Sequence, residues 1–79
     1  MKIVGICDNL ELAVGLKFAG IDCEVFENGD ILEEVKNKSN NNDIGIIVIT
    51  ENLYKKAEGD LNKFRKNNKL PLILKLDNN

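Results

Sequence analysis

Ile44-Gly45-Ile46-Ile47-Val48-Ile49, preceded by Asp43 and followed by Thr50 and Glu51, is the most apolar stretch of the chain. Six residues make fewer than two turns of helix. Five of the six are β-branched, a class that packs well on a pleated surface and loses side-chain freedom in a helix. A strand that is apolar at successive positions has no face to turn to water. It therefore belongs in the middle of a parallel sheet with helices over it. Thr50 at its end predicts the cap of a following helix.

The segments on either side fit such a sheet. Lys2 to Cys7 (KIVGIC) is a second short apolar run and reads as the first strand. Asp8 and Asn9 are N-cap candidates for a helix whose Leu12, Leu16 and Ala19 recur at helical spacing until Gly20 stops it. Ile21 to Glu27 alternates Ile21, Cys23 and Val25 with Asp22 and Glu24, as an edge strand with one wet face does. Asn28, Gly29 and Asp30 form a turn and cap, after which Ile31, Leu32 and Val35 mark a second helix that fades into Ser39-Asn40-Asn41-Asn42. After Thr50, Leu53, Ala57, Leu61 and Phe64 fall on one face of a third helix, with lysines opposite. Gly59 predicts a bend or break in it, and Asn67 and Asn68 close it. Leu72 to Leu76 (LILKL), entered through Leu70-Pro71, is the last strand, and Asp77-Asn78-Asn79 ends the sequence.

The order β-α-β-α-β-α-β predicts an α/β fold: a small open four-stranded parallel sheet, order 2-1-3-4, Rossmann-like or flavodoxin-like, in one domain over residues 1–79. Right-handed crossovers place the first helix on one face and the second and third on the other. A second helix beside the first would be needed to close the first face. Half of that face, over strands three and four, is therefore expected to lie bare. Ile47, Ile49, Leu72, Leu74 and Leu76 are the candidate partner-binding residues, since an uncovered apolar patch on a small domain marks an interaction surface. Both strands are apolar at nearly every position, so alternation does not say which parity of strand four faces the gap.

Composition narrows the chemistry. The chain has 79 residues, no histidine and two cysteines, Cys7 and Cys23. Ser-His-Asp and Cys-His arrangements and most metal sites need histidine, so no catalytic, cofactor-binding or metal-ligating residue is assigned. Cys7 and Cys23 read as buried small hydrophobes. With no apolar run long enough to span a bilayer and no leader at Met1, the sequence predicts a cytoplasmic protein without membrane insertion. The formal net charge is -2, with nine acidic residues and three lysines from Asp8 to Asp43, then six basic and three acidic from Glu51 to Lys69. The basic helix has no interleaved aromatic residues for base stacking, and nucleic acid is not expected as a partner.

At the carboxyl ends of the strands, where open α/β sheets bind ligands, the loops read Cys7-Asp8-Asn9-Leu10-Glu11 and Thr50-Glu51-Asn52. The first puts a carboxylate where a phosphate would sit, and Asp8 and Glu11 suit a helix N-terminus. A receiver-like domain would need an aspartate where Thr50 stands. A stand-alone receiver-like or small-ligand-binding domain is the alternative reading of function.

Three stretches carry a family resemblance: Met1-Lys2-Ile3-Val4-Gly5-Ile6-Cys7-Asp8-Asn9 with Gly15-Leu16-Lys17-Phe18-Ala19-Gly20-Ile21, then Asp43 through Glu51, and Leu70-Pro71-Leu72-Ile73-Leu74. They resemble the F subunit of the A-type and bacterial V-type ATPases, a central-stalk protein lettered G in some bacteria, in a short form without the usual C-terminal segment. The resemblance implies a small parallel α/β sheet and a non-catalytic rotor component. Its implied partners are the coiled-coil D subunit and, with it, the ring of nucleotide-binding A and B subunits. The protein would then be peripheral to the membrane as part of the soluble head and stalk. A second copy of the chain, seated on the uncovered sheet face, is the competing occupant of that surface.

Overall fold

The computed structural model describes residues 1–77. Its elements run β1 (Lys2–Cys7), α1 (Leu10–Phe18), β2 (Asp22–Val25), α2 (Ile31–Ser39), β3 (Ile44–Thr50), α3 (Glu51–Lys56), α4 (Glu58–Asn67) and β4 (Leu72–Leu76). All neighbouring strands pair in parallel, in the order β2-β1-β3-β4, so the topology read from the sequence is the one observed. The expected ending at Asn78-Asn79 lies outside the described residues.

Local chemistry explains most of the boundaries. Asn9, in extended backbone, accepts the Leu12 N–H at 2.8 Å and starts α1, so Asn9 rather than Asp8 is the cap. Asp30 accepts from Leu32 and Glu33 and starts α2 in the same way. Gly20 (φ 86°) and Gly29 (φ 117°) sit in left-handed backbone that side-chain-bearing residues rarely adopt, one after α1 and one before α2. The Leu70–Pro71 peptide that leads into β4 is cis.

The third helix breaks close to where Gly59 predicts. It is two helices, divided at Ala57 (φ -133°, ψ 32°), two residues before Gly59. The division lets both pieces bury apolar side chains: Leu53 and Tyr54 from α3, Leu61 from α4. Tyr54 is fully buried. Its hydroxyl donates to Asn62 Oδ1 and accepts from Arg65 at 3.3 Å, while Lys75 of β4 stands 5.0 Å from the ring centroid. One side chain thus links α3, α4 and β4. Thr50 supplies no side-chain cap to α3, contrary to expectation; its hydroxyl is buried without a hydrogen-bond partner.

The two faces of the sheet are unequally covered. Val4 and Ile6 of β1, Ile47 and Ile49 of β3 and Ile73 of β4 point to one side, where Ile31, Val35, Leu53, Tyr54 and Leu61 of α2, α3 and α4 close the main core over them. On the other side Ala13 of α1 packs with Cys7 and Cys23, supported by Leu12, Leu16 and Val25. This second core lies over β1 and β2. Among the described residues no helix covers β3 and β4 on the α1 side.

Candidate functional site

The uncovered half of the sheet follows from the alternation of β3 and β4. Ile47 and Ile49 point into the main core and are fully buried. Their neighbours Ile46 and Val48 therefore point the other way and are half-buried. The register pairs Ile46 with Leu72 and Val48 with Leu74, which places all four on the same bare face. Leu72 is 51% exposed and Leu74 49%, while Leu76 is half-buried beyond them. Ile3, 38% exposed and paired with Ile46, extends this face onto β1.

Of the five residues assigned to a partner surface from the sequence, the structure thus brings together Leu72, Leu74 and Leu76 and separates Ile47 and Ile49 from them. The correction has a simple cause. β3 is apolar on both faces, so hydropathy did not reveal its parity, whereas the helices of the main core take Ile47 and Ile49. Ile46 and Val48 replace them on the open side.

A second apolar surface was not singled out in the sequence. Leu10, Val14 and Phe18 recur at i, i+4 and i+8 on α1, and Leu10 and Phe18 are 69% and 89% exposed. The signal was present: α1 is apolar nearly all round, with Glu11 and Lys17 its only charges. Helices of that kind are covered on more than one side. Charge is segregated to match. The α1 side of the sheet carries few charges, whereas α2, α3 and α4 carry the carboxylates and lysines of the opposite side. Lys38, for example, bridges Glu34 and Glu24 at 3.4 and 3.5 Å there.

The two cysteines meet under α1. Their sulfurs are 2.9 Å apart, and both lie within reach of the Glu24 carbonyl. Burial first, then the hydrogen bond to Cys7, pushes the Cys23 thiol up to about 12 from its ordinary 9.0. The neutral form is favoured because a thiolate there would lose its hydration. The folded chain therefore holds this proton above pH 9, where the unfolded chain releases it. Stability from the group is complete below pH 9 and falls as the pH rises toward 12. A Cys23→Ala variant is expected to show a shallower alkaline loss of urea midpoint than the parent.

Gly5 makes room for this contact. A Cβ at that position would lie 2.9 Å from Cys23 Sγ and 3.2 Å from Cys23 Cβ. Gly5→Ala is expected to cost about 1–3 kcal/mol through overpacking. Adding Cys23→Ala should return part of that loss, measured as the thermal midpoints of the two variants.

The carboxyl ends of the strands offer little chemistry by comparison. Asp8 is half-buried, Thr50 is buried, and among the described residues no group of three or more Cys, Asp or Glu side chains gathers where a metal ion could sit. A cavity of about 510 Å³ lies between the β2–α2 turn and the division of α3 from α4, lined by Phe26, Asp30, Leu53, Lys56 and Asp60 among others. No helix among the described residues is long and apolar enough to cross a membrane.

Comparison with known proteins agrees with the family resemblance of the sequence. No match was found among curated proteins or among solved structures. The family model described as ATP synthase (F/14-kDa) subunit matches residues 3–79, nearly the full length given. The chain belongs to the F-subunit family of ATP synthases.

Proposed function

We propose that the chain is a non-catalytic central-stalk component of an ion-translocating ATPase of the A or V type, working by contact with the coiled-coil D subunit of the rotor. In this reading the D subunit seats on the bare half-sheet, and ATP chemistry belongs to the A and B subunits around it. The observation that supports the reading best is the open face itself. Leu72 and Leu74 are half exposed in a chain that buries their neighbour Ile73, and an apolar half-sheet left in water costs free energy that a partner would recover. The crest of α1 enlarges the surface. The protein would be cytoplasmic and held near the membrane through its partners.

Co-expression with the D subunit tests this. The two proteins are expected to co-purify through size exclusion as one complex. A chain that elutes alone beside a folded D subunit, under conditions where other family members bind it, would overturn the assignment. The competing occupant is a second copy on the same face. Sedimentation of the concentrated chain as a strict monomer would remove it.

A further inference from the structure

We infer that Cys7 and Cys23 form a reversible dithiol and disulfide pair, closed by hydroperoxides, whose bond clamps the edge strand β2 to β1. The inference stands apart from the docking role proposed above, since the pair lies under α1, over β1 and β2, and away from β4.

These are the two cysteines of the chain, and the fold brings them together from 16 positions apart. The register pairs Cys23 with Gly5 and Cys7 with Val25, so they are not direct cross-strand partners. Gly5 and Cys7 alternate onto the same face of β1. A Cβ at Gly5 would stand 2.9 Å from Cys23 Sγ, so the missing side chain is what lets that sulfur lie across β1 toward Cys7. The two sulfurs are 2.9 Å apart. A disulfide is about 2.05 Å long, and closing the bond asks for an approach of about 0.9 Å.

Cys7 has no exposed surface and Cys23 only 3%, so the pair reacts when its cover opens. That cover is thin. Ala13 is the one buried residue of α1, with Leu12 and Leu16 partly buried beside it, and β2 is a four-residue strand at the sheet edge. Elements with few buried apolar side chains open at less cost than the core around them. While the cover is closed Cys23 keeps its proton, and a neutral thiol is a poor nucleophile. Peroxide chemistry therefore follows the parting of α1 from β2.

In the open state one thiol, having lost its proton, attacks an oxygen of the hydroperoxide. An S–O bond forms, the O–O bond breaks, and water or an alcohol leaves with that proton. The second sulfur attacks the resulting sulfenic acid, the S–S bond forms as the S–O bond breaks, and water departs with the second proton. The two sulfurs lose two electrons and the hydroperoxide gains them. A thiol reductant reverses the change by exchange. Such bonds in reducing compartments are transient and redox-sensing, and the product here is an edge strand that no longer parts from β1.

Hydrogen peroxide added to the folded, reduced chain tests this. The expected product is a monomer lighter by two hydrogens in intact mass, with no thiol left for iodoacetamide after unfolding and both thiols restored by dithiothreitol. Oxygen added to one cysteine while the other still alkylates, linkage between chains, or persistence of both thiols overturns the inference. Amide hydrogen exchange reads the clamp. In the oxidised chain, exchange in α1 and β2 is expected to slow about tenfold or more, because a bond closing a loop of this length restrains the opened state, and α4 is expected to change less. Faster exchange in β2, or slowing there no greater than in α4, overturns the clamp.

Discussion

Leu74→Asp is expected to weaken binding of the D subunit about a hundredfold or more while leaving the isolated chain folded. Leu74 is 49% exposed and packs on one side only, so an aspartate there can reach water in the free chain. In the complex it would be driven into an apolar contact. Losing the leucine contact and desolvating a carboxylate together cost about 3 kcal/mol or more, and about 1.4 kcal/mol corresponds to each tenfold in Kd. Titration calorimetry gives the affinity, and circular dichroism with a thermal melt shows whether the fold is kept. A variant that binds as tightly as the parent would place the contact elsewhere.

Ile47→Ala is expected to do the reverse: to cost about 3 kcal/mol of stability and to affect binding only through the fraction unfolded. Ile47 is fully buried among side chains of the main core, and truncation of a buried isoleucine to alanine typically costs about 2–5 kcal/mol through lost contacts and the cavity left behind. A chain of 79 residues has about 4–12 kcal/mol in total. The thermal midpoint should therefore fall by about 12–24 °C. The two substitutions lie on neighbouring strands and on opposite faces of one sheet. Their opposite signatures test the face assignment. If Ile47→Ala melted like the parent and lost binding, the parity of β3 would be reversed.

That parity is also where sequence reading stopped. Strand order, helix placement and the uncovered half-face could all be read from the chain, because β-branched runs, capping residues and right-handed crossovers constrain one another. The orientation of Ile46 against Ile47 could not, since both neighbours of each apolar residue are apolar as well. The distinction arises only when Leu53, Tyr54 and Leu61 choose a face to cover. The parity of β4 was no more legible: it is the Lys75 ammonium over the Tyr54 ring that places Ile73 and Lys75 on one side and the leucines on the other.

The third helix shows a second limit. Leu53, Ala57, Leu61 and Phe64 keep helical spacing through Ala57, so a continuous helix satisfied the pattern. Tyr54 borders that stripe and is fully buried. Its hydroxyl is held by Asn62 and Arg65, a tertiary arrangement that needs the two helices to part at Ala57. The exposed row Leu10, Val14 and Phe18 was legible in principle. A helix with only two charges in a chain that is 30% charged signals a covered helix, and the sheet can cover only one side of it.

The central claim, that the bare half-sheet is the surface a partner occupies, is tested most directly by methyl spectroscopy of the isotopically labelled chain titrated with the D subunit. The methyl resonances of Ile46, Val48, Leu72 and Leu74 are expected to shift or broaden on binding, while those of Ile47, Ile49 and Leu61 stay within the changes seen across the remaining core. A complex in which the first four are unmoved and the outer surfaces of α2 and α4 respond instead would contradict it.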